Sequence, residues 1–317
     1  MSKNNMPIVF MGTPGFAAHI LEKLVENGQN IVGVVTVADK PAGRGKKLHE
    51  SEVKKIALKH QLTLLQPTQL KDPSFIEALK ALNAAVFVVV AFRMLPELVW
   101  KIPAKGTFNL HASLLPQYRG AAPINWAIIN GEKTTGVTTF FIDEKIDTGA
   151  IIDQMAISIA ESDTAGSLHD KLMILGADLV QKTLVDIENG TIDPKNQANE
   201  AVLKEAPKIF KEDCRIDWTK EGKDIESFIK GMSPYPTAWT HLNQESERIV
   251  LKVFEARFLK IIHDSKIGSI IKSKKELKIA VKDGFIELLK IQLPGKRVMN
   301  VLEVLNGLQL KENDYIL

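Results

Sequence analysis

Asn109 and His111 stand two residues apart in Thr107-Phe108-Asn109-Leu110-His111, an apolar run with two polar interruptions. Side chains alternate along an extended strand, so both polar groups share one face, their Cα atoms about 6–7 Å apart at a rise of ~3.3 Å per residue. Farther along, Phe141-Ile142-Asp143 ends a second apolar run and leads into Ile146-Asp147-Thr148-Gly149. Asp147 therefore falls in a loop after a strand, within reach of the same sheet edge. An Asn-x-His pair alone is weak evidence and is more at home as a structural pair. An amide donor, an imidazole and a carboxylate together form a set that can stabilise a tetrahedral oxyanion and move one proton.

The elements needed to position these groups are legible as buried strands. IVFMG at 8–12, IVGVVTV at 31–37 and AAVFVVVAF at 84–92 are almost wholly apolar, and helical patterns follow at 19–27 and 51–60. Apolar strands alternating with helices predict an open, mostly parallel α/β sheet covered on both faces. GTFNLHAS at 106–113 and GVTTFFID at 136–143 extend it, and ligands belong at the carboxyl ends of such strands. Leu168, Leu172, Leu175 and Leu179 recur at helical spacing and predict a helix over 165–188 that closes the domain. The stretch 191–207 is polar, lacks a period and contains two prolines, as a surface connector does. Beyond it come a helix near 222–231 and alternating runs at 248–259, 267–272 and 276–292, with Asp283-Gly284 as a hairpin signal. The expected organisation is a catalytic domain at 1–190, a linker at 191–207 and a small β-barrel domain at 208–317.

Several chemistries are excluded. Gly12-Thr13-Pro14-Gly15 lacks the G-x-G-x-x-G spacing of a dinucleotide site, and no Gly-Lys-Ser/Thr P-loop occurs. Cys214 is the only cysteine, so neither an internal disulfide nor a thiolate metal cluster can form. Hydrophobic residues at 45% and charged residues at 25% exclude a wholly disordered or fibrous chain. No apolar segment approaches the ~18 residues of a membrane span, and the N-terminal residues show no signal-peptide pattern, so the expected location is the cytoplasm.

Charge separates the two halves. Residues 1–203 carry 20 Lys+Arg against 21 Asp+Glu, whereas residues 204–317 carry 21 against 17. Within 248–297 the balance is 13 basic to 5 acidic, which suits either a polyanionic partner or a solvated lysine-rich face. A second basic cluster is the glycine-punctuated loop Lys40-Pro41-Ala42-Gly43-Arg44-Gly45-Lys46-Lys47-Leu48, where Arg44 and Lys46 could grip phosphates.

The run Asn109-Leu110-His111-Ala112-Ser113-Leu114-Leu115-Pro116-Gln117-Tyr118-Arg119-Gly120, with Ile146-Asp147-Thr148-Gly149, resembles the signature of the 10-formyltetrahydrofolate-dependent formyltransferases. The resemblance implies that family's Rossmann-like open sheet and a small C-terminal OB-like barrel, with 10-formyltetrahydrofolate as co-substrate and no metal. By the family pattern Asn109, His111 and Asp147 match the catalytic trio, and Ser113, Leu114, Leu115 and Pro116 match the folate-contacting turn. Residues 91–96, with Phe92, Arg93 and Met94, would form part of the pterin pocket wall. PAGRGKKL at 41–48 is similar to the insertion by which family members acting on methionyl initiator tRNA meet its acceptor arm. KIFKEDCRIDW at 208–218 and GMSPYPTAWT at 231–240 resemble the second domain of the same members, so the resemblance spans nearly the whole chain. It places Arg44, Lys46 and Lys47 on the tRNA, joined by Lys274 and Lys275 of the basic second domain, and a monomer is expected. Three positions differ from the family pattern: Gly15, Ala38-Asp39-Lys40 and Glu52.

In that setting the nucleophile is an α-amino group, whose reference pKa of about 7.7–8.0 leaves a usable neutral fraction near pH 7. Asn109 would donate to the developing oxyanion, while His111, with Asp147 beside it, would stabilise charge and relay the amine's proton. A nucleotide-sugar amine is a rival acceptor, but it needs no basic loop. A purine-pathway formyltransferase would lack the appended domain. A non-catalytic RNA-binding protein leaves the trio unexplained.

Overall fold

The computed structural model describes residues 5–42, 47–198, 202–244, 247–307, 311 and 314–316. Contacts group the chain into two compact units. One comprises Met1–Gly120, Thr135–Ile157 and His169–Glu205; the other comprises Ala121–Thr134, Ser158–Leu168 and Ala206–Leu317.

The first unit is built on a seven-stranded sheet in the order Ile151–Ser158, Thr134–Phe141, Thr107–His111, Val86–Val90, Ile8–Gly12, Ile31–Val35, Leu64–Leu65. The last five strands run parallel, and the strands Ile8–Gly12 and Val86–Val90 are buried at every position, as their unbroken apolar composition requires. Val9, Met11, Phe87 and Val89 join Val35, Phe75 and Leu79 in one apolar cluster. The helix over 165–188 is present as Ala165–Asn189, with Leu168, Leu172 and Leu179 buried.

Two features of this sheet depart from expectation. Strand Ile151–Ser158 is not anticipated by that reading; none of its residues is fully buried, so it lacks the unbroken apolar run of the central strands. The connector 191–207 is largely exposed over its described residues 191–198 but is tied to the sheet's edge, because Lys195 pairs with Ile151 through two reciprocal backbone hydrogen bonds of 2.8 Å.

The second unit holds a sheet in the order Ile270–Lys272, Leu277–Val281, Gly284–Gln292, Arg248–Leu259, Ala238–Asn243, Tyr315–Ile316, antiparallel throughout. A Ser269–Tyr315 bridge brings its two ends together, giving the nearly closed barrel of an OB-like domain. The span 276–292 is two strands joined by Lys282 and Asp283, with Gly284 already in the second. Trp218, Ile225, Ile229, Leu251, Val253, Ile279 and Ile286 fill its interior with the buried Cys214. Among the described residues no helix is long and apolar enough to cross a membrane.

Candidate active site

Strand Thr107–His111 pairs in parallel with Val86–Val90 on one side and antiparallel with Thr134–Phe141 on the other. Asn109 lies opposite Phe140 and His111 opposite Thr138, on the shared face that the period of two requires. Asn109 is half-buried, and its Oδ1 is buried with no hydrogen-bond partner among the described residues. A buried amide oxygen left unpaired in this way costs about 1–3 kcal/mol, which a bound hydrogen-bond donor would recover.

His111 is 7% exposed, and its Nε2 lies 2.8 Å from the Tyr118 carbonyl oxygen. A carbonyl only accepts, so Nε2 carries a proton and Nδ1 is the nitrogen left for chemistry. Asp147 Oδ2 stands 3.8 Å from that Nδ1 and accepts the Gly120 N–H at 2.9 Å. The 3.8 Å separation exceeds a hydrogen bond, so imidazole and carboxylate flank a gap. Ring orientation is thus set by the Tyr118 carbonyl rather than by the carboxylate.

Asp147 reaches this position indirectly. The antiparallel register sets Phe141 beside Phe108 and Thr138 beside His111, so the loop after Phe141 begins at the wrong end of the strand. It must fold back about 10 Å, three residues of strand rise, to bring a carboxylate to His111. Asp147 takes a left-handed conformation at φ 56° in doing so, which Asp tolerates better than most residues. Gly149 completes the fold-back, because a Cβ there would lie 1.7 Å from the Phe141 carbonyl oxygen.

The turn Ser113–Pro116 is held by side chains of the neighbouring strands. Thr138 Oγ1 donates to the Ser113 carbonyl at 2.6 Å and accepts the Leu115 N–H at 3.1 Å. Gln154 Nε2 donates to the Leu115 carbonyl at 2.9 Å, and Ser113 Oγ donates to the Gln117 carbonyl at 2.7 Å. Leu115 is buried, whereas Leu114 and Pro116 are half-buried. The Leu115–Pro116 peptide is cis.

The other expected positions divide. Phe92 packs against the first unit's apolar cluster and Met94 is 70% exposed. Arg93 donates from Nη1 to the Thr68 carbonyl and from Nη2 to the Pro67 carbonyl, while its Nε is buried without a partner. Most of its guanidinium therefore fastens a neighbouring loop. Arg44 and Lys46 lie outside the described residues; of Lys47 the backbone is described, in a short strand antiparallel to Lys40–Ala42. At the base of that hairpin Asp39 accepts from Lys54 and Gln66, and these bonds hold its carboxyl below the ordinary Asp range. Lys274 and Lys275 are exposed in the turn before Leu277–Val281, with no ion pair among the described residues.

A cavity of about 670 Å³ lies within the second unit, lined by residues such as Ile129, Ile159, Ile225 and Phe228, and contains none of these side chains. A smaller cleft of about 280 Å³ in the first unit lies among Thr13, Pro14, Val37, Ala38, Lys40 and His49. Volume therefore does not mark the chemistry here. Among the described residues no group of three His, Cys, Asp or Glu is arranged to hold a metal ion.

One residue of the site had no signal in the sequence. Gln197, in the polar connector, donates from Nε2 to the carbonyls of Asp147 and Gly149 at 2.9 Å each. Nothing in the composition of 191–207 separates it from its solvated neighbours.

The sheet is an open α/β fold in which Asp147 meets His111 on the strand that also carries Asn109. The chain belongs to the formyl transferase family: residues 6–184 match the family described as Formyl transferase, and residues 208–309 match Formyl transferase, C-terminal domain. A methionyl-tRNA formyltransferase of Flavobacterium johnsoniae is 56% identical over 305 residues, covering 96% of this chain and 97% of the relative. A methionyl-tRNA formyltransferase of Bacteroides thetaiotaomicron is 52% identical over 317 residues, covering 98% of each. The solved structure of a sugar 3N-formyl transferase superposes with a TM-score of 0.63 over 92% of this chain and 99% of its own, at 20% identity, a likeness of fold.

Proposed function

We propose that this chain transfers the formyl group of 10-formyltetrahydrofolate to the α-amino group of methionine carried by the initiator tRNA, acting as a cytoplasmic monomer. The observation that carries the reading is the meeting of His111 Nδ1 and Asp147 Oδ2 across a 3.8 Å gap, beside the strand face that carries Asn109. Identities above 50% along the whole chain to enzymes of that name support the choice of acceptor. The division at a linker of 191–207 is part of the same proposal.

The amine nitrogen forms a bond to the formyl carbon, and the carbonyl π electrons move onto oxygen. The Asn109 amide donates to that oxygen. Nδ1, the ring nitrogen not committed to the Tyr118 carbonyl, takes the proton from the attacking nitrogen. The Asp147 carboxylate then faces a positively charged ring and stabilises it. Collapse of the intermediate breaks the bond from the formyl carbon to the folate nitrogen, which receives the proton. Ser113–Pro116 would line the folate side, fastened by Thr138 and Gln154.

Incubation with 10-formyltetrahydrofolate and, separately, charged initiator tRNA, charged elongator tRNA and a nucleotide-sugar amine tests the acceptor. Formylation is expected with the initiator tRNA. A formylated sugar product would instead assign the chain to that rival acceptor. For the basic second unit, replacing Lys274 and Lys275 by Ala reduces the slope of log affinity against log salt by about one for each phosphate that is no longer neutralised. Titration of tRNA binding at several salt concentrations measures it, and an unaltered slope removes these lysines from the interface.

A further inference from the structure

Gln197 is bonded at both ends of its side chain. Its Oε1 accepts from Arg119 Nε at 3.1 Å and Nη2 at 2.6 Å, while its Nε2 donates to the Asp147 and Gly149 carbonyls. Chemistry alone fixes the orientation of the amide: a guanidinium only donates and carbonyls only accept, so oxygen must face Arg119 and nitrogen the loop. Both amide hydrogens and both oxygen lone pairs are used.

Two further interactions bind the same segment to the first unit. Lys195 pairs with Ile151 just beyond the Asp147 loop. Lys204 accepts the Tyr118 N–H at its carbonyl, 2.6 Å, and donates its own N–H to Gln117 Oε1 at 2.8 Å. Tyr118 is the residue whose carbonyl holds His111. The described parts of residues 195–204 thus grip both the loop that carries Asp147 and the loop whose Tyr118 carbonyl holds His111.

We infer that Arg119 and Gln197 form a positioning clamp that holds the Asp147 carboxylate at its working distance from His111, making the connector part of the site's framework. The inference rests on the role proposed above for Asp147. Its physical basis is the left-handed backbone at Asp147, a conformation costlier than the ordinary ones even for Asp and held by the bonds around it. Gln197 supplies two of those bonds. Asp147 Oδ2 in turn accepts the Gly120 N–H, so that amide reports whether the carboxylate is in place. Gln suits the position for a specific reason: a Glu would keep the Arg119 partner but point oxygen at two carbonyl oxygens.

The full-length enzyme with Gln197→Ala or Gln197→Glu tests the clamp, with Asp147→Asn as reference. Three quantities are read: kcat, KM for each substrate, and the hydrogen-exchange rate of the Gly120 amide. Gln197→Ala is expected to lower kcat about 10- to 100-fold, as a displacement near 1 Å does, with both KM values within about threefold. Gln197→Glu falls at least as far although its charge pair with Arg119 remains, which a merely structural role would not predict. Exchange at Gly120 accelerates about tenfold in both variants, and adding Gln197→Ala to Asp147→Asn brings no further loss of kcat. Unchanged Gly120 exchange, or a kcat within twofold of the parent in both variants while Asp147→Asn is inactive, overturns the clamp. If instead Asp147→Asn retains full activity while Gly120 exchange still responds to Gln197→Ala, the clamp stands and the catalytic role of Asp147 falls.

Discussion

Replacing Asp147 by Asn, or Asn109 by Ala, lowers kcat by about 10² to 10³, the usual consequence of removing one preorganised electrostatic partner of a transition state, or about 2.7–4 kcal/mol. Asn is the sharper substitution at position 147. Its oxygen can still accept the Gly120 N–H, and it tolerates the left-handed backbone, so the negative charge alone is removed. At position 109 the substitution deletes an amide whose oxygen is already without a protein partner, so no native hydrogen bond of that oxygen is lost. Single-turnover formylation gives the chemical step, and equilibrium binding of charged tRNA gives the ground state. The step should collapse while binding changes little. Parallel decline of the two would mean that these side chains hold substrate rather than drive its conversion.

Gly149→Ala is expected to be equally damaging without removing any functional group. The added methyl carbon would lie 1.7 Å from the Phe141 carbonyl oxygen and 2.9 Å from its carbon, both main-chain atoms of a sheet strand. The loop, not the strand, must yield, and a shift of more than 1 Å two residues from Asp147 is worth about 10² in rate. Gly307→Ala, where a Cβ meets nothing within 4 Å, serves as control and should stay within about twofold of the parent. Steady-state kinetics on both variants decide the matter. Full activity in Gly149→Ala would show that the fold-back loop is free to relax without carrying its carboxylate away.

The parallel half of the sheet was readable because each of its long strands is apolar on both faces, and such a run has few other homes. Asn109 and His111 were readable for the complementary reason, as two polar residues interrupting an apolar strand at a spacing of two. Strand Ile151–Ser158 escaped because none of its residues is fully buried and Asp153-Gln154 interrupts its apolar run. The route to Asp147 escaped for a deeper reason: whether Thr134–Phe141 runs with or against its neighbour depends on pairing partners distant in sequence. Gln197 was invisible since it joins a guanidinium 78 residues away to two main-chain carbonyls, and carbonyls impose no residue pattern on the loop they belong to. In the same way the proton on Nε2 of His111 is dictated by the carbonyl of Tyr118, an atom that every residue possesses.

The enclosure of His111 bears on how the enzyme responds to reagents. An acylating compound that modifies imidazoles from solvent meets the exposed His49 first, whereas the ring of His111 is 8% exposed with one nitrogen already occupied. Stoichiometric labelling would therefore precede inactivation, and substrate protection against such a compound would report access to the cleft more than the reactivity of the ring itself.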